Sequence, residues 1–190
     1  MTSALTLANR GFQVFLVEKS SEMGGLLRNL HKLAPSNVDA EELLAKQVAA
    51  VSNHENISIL TSTTIKEIKW YIGHYDVTVS TNGVEQEFGV CVIIIATGAK
   101  VFKPEGLFNY DGKRVITQFD LEAFFRTKKF KADNVVMIQC VGARNEERKY
   151  CSRICCTTAI KNAIAIKEHN PETRVHILYR DIQAYGTEHE

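Results

Sequence analysis

Four cysteines, Cys140, Cys151, Cys155 and Cys156, crowd one short stretch, QCVGARNEERKYCSRICC. Four thiolates suffice to hold either a cubane iron–sulfur cluster or a zinc ion. Zinc sites usually present pairs spaced C-x2–4-C, whereas the spacing here is Cys-x10-Cys-x3-Cys-Cys. Adjacent residues on a helix diverge by about 100°. Cys151 and Cys155 can face the same way, but Cys156 must turn in differently, which places the group at the first turn of a helix. Free amides and the positive end of the helix dipole stabilise thiolates there. A dithiol/disulfide centre is a third option, although the C-x-x-C motif is absent. Buried cysteines with no chemistry are common singly but not four at a time. The fifth, Cys91, falls in an apolar run and reads as core.

The chain has 190 residues, 45% hydrophobic and 24% charged, with a formal net charge of +1. That composition suits a soluble globular protein, and the charge favours neither nucleic acid nor an anionic membrane. The longest apolar run, Val90–Ala96, is far short of the roughly 18 residues of a membrane span, and the N-terminus lacks the order of a secretory signal. A cytoplasmic, reducing setting is expected, in which clustered cysteines serve metals or redox chemistry.

The elements that must position the thiols follow from periodicity. Met1–Arg10 reads as a helix ended by Gly11, and Phe12–Val17 as a buried strand closed by Glu18. Helical periodicity over Ala40–His54 gives an amphipathic helix with Leu43, Leu44, Val48 and Val51 on its apolar side, before a short strand over Ile57–Leu60. Thr64–Trp70, Asp76–Ser80 and Gln86–Phe88 form an antiparallel meander, with Thr81-Asn82-Gly83 as a hairpin turn. Val90–Ala96 is expected as a fully buried strand, Phe119–Arg126 as a helix, and Asn134–Gln139 as a third buried strand. The helix Cys155–His169 and the strand Arg174–Tyr179 follow.

This order is an α/β plan with a β insertion. A doubly wound fold opens on a strand and a glycine-rich turn before its first helix, so the sequence reads as lacking both. Glu18, at a strand end, is placed to hydrogen-bond a ribose hydroxyl. Gly24-Gly25 and the small residues ending VIIIATGA (92–99) permit close backbone approach to a cofactor. Each signal alone is weak; a solvated turn glutamate and loop glycines are the plain alternatives. Together, in this order, they indicate a flavin-type Rossmann domain.

That arrangement resembles the FAD domain of the thioredoxin and glutathione reductase class. The resemblance implies that Glu18 holds the adenosine ribose, that the backbone near Ile65 meets the adenine, and that Gly24, Gly25 and Ala96-Thr97-Gly98 line the cofactor. In that class a second nucleotide-binding domain follows. Asn134–Arg144 stands where its first strand and turn belong, but with only Gly142 and no G-x-G-x-x-G, so NAD(P)H binding is not expected. Arg180, after the next strand, could mimic a 2′-phosphate contact.

The segments QCVGAR, YCSRICCTTAIKNA and VHILYRDIQAYG, with VEKSSEMGG, WYIGHY, VIIIATGA and VITQFDLE upstream, resemble the HdrA family of heterodisulfide reductase subunits across nearly the whole chain. The resemblance implies a Rossmann-like FAD domain with a β-meander insertion over residues 1–118. It implies a degenerate NAD(P)-like domain over 119–190, with Cys140, Cys151, Cys155 and Cys156 as ligands of a [4Fe–4S] cluster. The family's additional ferredoxin-type cysteine motifs have no counterpart here and are expected outside this chain. The implied role is FAD- and cluster-dependent electron transfer between a hydrogenase or dehydrogenase donor and partner subunits that reduce a disulfide. The alternatives are a quinone-interacting oxidoreductase subunit of the same family, an NADPH-dependent disulfide reductase, and a non-catalytic zinc-stabilised module.

Overall fold

The computed structural model describes residues 1–127 and 130–184; the last two residues of the VHILYRDIQAYG motif lie outside them. The chain divides into two compact units, one of Met1–Arg28 with Glu41–Ala99, the other of Asn29–Ala40 with Lys100–Glu190.

The first unit opens with α1 (Thr2–Ala8), followed by β1 (Val14–Val17). Gly11, at φ +86°, donates to the Ala8 carbonyl and turns the chain out of the helix. A 3-10 turn (Gly25–Asn29), α2 (Ala40–Ser52) and β2 (Ile57–Leu60) come next. β1 and β2 pair in parallel, Val14 opposite Ile57 and Val17 opposite Leu60. A parallel pair needs a crossover, and α2 supplies it. Ala4, Ala8, Met23, Val51 and Ile57 form the buried core, with Leu5, Val14, Leu16 and Val48 packed around it. Leu44 and Val51, two of the apolar positions expected on α2, are buried.

A three-stranded antiparallel sheet completes this unit: β3 (Thr63–Tyr71), β4 (His74–Thr81) and β5 (Val84–Val90). Asn82 and Gly83, at φ +51° and +89°, make the tight turn between β4 and β5, as expected of an Asn-Gly pair.

The expected buried strand over Val90–Ala96 is not formed. β5 ends at Val90, residues 92–100 carry no ladder, and Val92, Ile94 and Ile95 are 69%, 53% and 83% exposed. β-branched residues favour extended backbone, but a strand persists only where a neighbour takes up its amides and carbonyls. No strand of the described residues pairs with this run. Cys91, read as core, is correspondingly exposed.

The second unit contains α3 (Gln118–Arg126), β6 (Asn134–Ile138), α4 (Cys155–His169) and β7 (Arg174–Leu178). α3 starts in a capping box: Thr117 accepts from the Asp120 amide while Asp120 accepts from the Thr117 amide. β6 and β7 pair in parallel through α4. Leu121, Phe125, Met137, Ala159 and Ile166 form the core. Only one face of this pair is covered. Val136, Ile138 and Leu178 are exposed, so β6 is not the fully buried strand its apolar run suggests. The same holds for β1, where Phe15 is exposed. A two-stranded sheet backed on one side by helices leaves alternate residues facing outward.

Within this unit a buried ion pair joins the helices. Glu122 is 1% exposed and pairs with Lys161 of α4. The other Glu122 oxygen accepts from the His31 amide at 3.0 Å, and Lys161 also donates to the Lys32 carbonyl at 2.8 Å. The segment 29–40 is thereby fastened to α3 and α4.

Candidate functional site

β6 ends at Ile138, and Cys140 takes a left-handed backbone at φ +61° immediately beyond it. The loop to α4 stays in this region repeatedly, at Gly142 (+76°), Arg144 (+55°) and Arg153 (+63°). Its own bonds close it: the Arg144 amide donates to the Tyr150 carbonyl, the Asn145 amide to the Arg148 carbonyl, and the Arg148 amide to Asn145 Oδ1 at 2.7 Å. Cys151 lies in the loop rather than on the helix, where Sγ accepts the Arg153 amide at 3.3 Å. Cys155 and Cys156 occupy the first turn of α4 as expected, and Cys156 is buried. Its N-cap, Ile154, supplies no side-chain cap, so no cap side chain competes with anionic sulfur for the first amides of α4.

The four thiols share one electrostatic neighbourhood. Burial raises the pKa of the Cys155 thiol, and Cys156, Cys140 and Cys151 each push it further in the same direction. Their thiolates would therefore repel one another unless a cation or cluster took up the charge. Among the described residues, however, no group of three or more His, Cys, Asp or Glu side chains is arranged as a metal site. The sulfurs neighbour one another without closing on a common centre.

Residues beyond the cysteine motif frame the thiols. Arg144, in the loop between Cys140 and Cys151, pairs with Asp181, just past β7. The bond to Asp181 holds the Arg144 pKa above its ordinary value, and the same bond lowers that of Asp181. The Cys156 thiol faces the Asp181 carbonyl oxygen at 4.0 Å. Arg180, which the sequence offers as a phosphate contact, instead donates to the Arg144 carbonyl at 2.7 Å. Asp181 was not legible as a site residue; nothing in the sequence spacing ties it to Arg144.

Gly142 is needed for a different reason from the one its position suggests. The Phe102 ring lies on it, so that an added Cβ would come within 2.5–2.7 Å of three ring atoms. The Arg148 guanidinium lies 5.7 Å from the centroid of the same ring. The turn that would cradle a pyrophosphate in a nucleotide-binding domain is packed with an aromatic side chain. Gly142→Ala is expected to cost about 1–3 kcal/mol by overpacking, with ~1 kcal/mol more from the left-handed backbone. Chemical denaturation measures this, and adding Phe102→Ala should restore part of the loss. An unshifted midpoint in the single variant would contradict the packing argument.

The flavin-site residues expected from the sequence all belong to the first unit. Glu18 follows β1, half-buried, and one carboxylate oxygen accepts the Ser20 amide at 2.8 Å. That leaves its other oxygen for a hydroxyl donor. Gly24 is fixed by packing, since a Cβ there would meet Leu44 Cδ1 at 2.7 Å, whereas Gly25 faces open space. Ile65 is 48% exposed on β3. Ala96, Thr97 and Gly98 are exposed in the unpaired segment that the sequence reads as a strand end.

No protein-family model matches the chain. Curated proteins do, over almost all of it. The HdrA iron–sulfur subunit of CoB–CoM heterodisulfide reductase from Methanocaldococcus jannaschii is 26% identical, matching 99% of this chain and 43% of that protein. The corresponding subunit of the H2/formate:CoB–CoM heterodisulfide, ferredoxin reductase from Methanococcus maripaludis is 28% identical over the same shares. The chain is a homologue of HdrA. It spans less than half the length of those HdrA proteins. The match to the M. jannaschii protein runs over 281 positions against 190 residues here. Roughly ninety positions therefore lie inside the matched span without a counterpart in this chain, so some of the relatives' extra sequence falls between the matched segments.

Solved structures agree in fold. L-proline dehydrogenase from P. horikoshii matches 98% of this chain and 34% of its own, with a TM-score of 0.52 and 14% identity. Thioredoxin reductase from T. acidophilum matches 96% and 64%, with a TM-score of 0.51 and 18% identity. The fold is mixed α/β of the Rossmann-like class to which these oxidoreductases belong. No helix of the described residues is long and apolar enough to cross a membrane.

Proposed function

We propose that this chain is an electron-transfer subunit of a heterodisulfide-reductase-like oxidoreductase, with FAD held by the first unit and a [4Fe–4S] cluster by the second. The observation that carries the reading is the gathering of Cys140, Cys151, Cys155 and Cys156 at the uncapped start of α4, in a homologue of HdrA. The donor set suits an anionic, sulfur-ligated group: four thiols in one another's field, a helix start without a side-chain cap, and the Arg144 cation in the same loop. When bound, FAD takes electrons in pairs and yields them singly, and a cluster carries one at a time. The partners in this reading are the other subunits of the complex, with a hydrogenase or dehydrogenase module as donor.

Glu18 would accept a hydroxyl of the adenosine ribose, and Gly25 would let the backbone approach the cofactor. The packing of Phe102 on Gly142 speaks against an NADPH-dependent disulfide reductase, because a nicotinamide dinucleotide has no phosphate cradle there. Anaerobic reconstitution followed by iron, sulfide, zinc and flavin analysis tests the reading. Iron and sulfide in equal amounts, with broad visible absorption, are expected; colourless stoichiometric zinc would replace it with the zinc-module alternative. In the flavin-loaded protein Glu18→Ala is expected to weaken FAD binding by about 1.5–3 kcal/mol, the range for hydrogen bonds to charged groups. Equal flavin affinity by titration would remove Glu18 from the site.

A further inference from the structure

Arg144, Arg148, Lys149 and Arg153 fall within the cysteine motif. The structure separates the first two. Arg148 lies over the Phe102 ring, whereas the Arg144 guanidinium pairs with Asp181, beside the thiols. Arg144 is also held through its backbone: its carbonyl accepts from Arg180 and its amide donates to Tyr150. Asp181 is braced in turn by Gln183, and its own carbonyl oxygen faces the Cys156 thiol. The end of β7 thus ties the loop between Cys140 and Cys151 to the helix-side cysteine through one arginine–aspartate pair.

We infer that Arg144, braced by Asp181, is a positioning residue of the thiol site, and that its positive charge sets the reduction potential of the centre held there. The inference rests on the cluster reading given above. One-electron reduction of such a centre adds one negative charge and breaks no bond; the electron comes from reduced flavin in the complex, or from a mediator in a titration. A fixed positive charge beside the ligating sulfurs stabilises the more negative state and so raises the potential.

The test is an EPR-monitored redox titration of the full chain, reconstituted anaerobically, as wild type and as Arg144→Gln, Arg144→Lys and Asp181→Asn. Arg144→Gln is expected to keep its iron and to lower the midpoint by at least about 59 mV, a tenfold change in a one-electron equilibrium. Arg144→Lys should fall between it and wild type. Asp181→Asn discriminates between charge and positioning. Loss of a nearby negative charge alone would raise the potential, whereas loss of the brace lowers it, as expected here. An unchanged midpoint in iron-replete Arg144→Gln, or a raised one in Asp181→Asn, would overturn the inference. If Arg144→Gln loses iron, recovery of iron in Arg144→Lys supports it and continued absence overturns it. Absence of iron from the wild-type chain would instead defeat the cluster reading, and the two failures are distinguishable.

Discussion

Substitution of Cys155 by alanine is expected to abolish assembly of a four-iron centre. Cys155 opens α4 next to the buried Cys156, and burial with the neighbouring Cys156, Cys140 and Cys151 raises its thiol pKa. Loss of a direct ligand should exceed the about 10–100-fold cost that follows removal of an outer-shell partner. Cys140→Ala, Cys151→Ala and Cys156→Ala are expected to disrupt or convert the centre likewise. Cys91→Ala should leave it intact, because Cys91 is exposed and belongs to the other unit. Iron and sulfide counts, with EPR of the reduced protein, read the outcome. A silent substitution among the four, or a requirement for Cys91, would show that the ligands are misassigned.

The second large effect is structural. Glu122→Ala is expected to destabilise the second unit by about 3–5 kcal/mol, the cost of removing one partner from a buried ion pair. Glu122 is 1% exposed and the Lys161 side chain 11%, so solvent does little to screen what remains. The variant strands the Lys161 ammonium and leaves the His31 amide without its acceptor. At ~2–4 °C per kcal/mol for a chain of this size, the melting temperature should fall by about 6–20 °C. Replacing both partners with apolar residues, as in Glu122→Leu with Lys161→Met, should recover much of that loss, since a buried pair and its apolar substitute are often close in stability. Hydrogen exchange at the His31 amide should rise in Glu122→Ala and report release of the 29–40 segment. A single variant costing less than about 1 kcal/mol would sink the argument, because a fully buried partner cannot be removed so cheaply.

Local pattern decided much of this protein. The period of 3.6 marked α2 and gave α4 its bounds at Cys155 and His169, and Asn82-Gly83 set its hairpin, because each depends on neighbouring residues alone. The cysteine spacing likewise placed one thiol after a strand and two on a helix start, which is where they lie. The run Val92–Ile95 shows where such reading fails: its composition favours a strand, but pairing is a property of a neighbour, and the described residues supply none. Tertiary structure alone decided the rest. Glu122 and Lys161 each look like a solvated helix charge, and they are separated by 39 residues; Arg144 and Asp181 are separated by 37. Gly142 reads as a remnant phosphate turn until Phe102 is found lying on it. Burial and pairing across such separations arise only when a unit closes on itself, since they depend on which distant groups share a low-dielectric space, and no local periodicity records that.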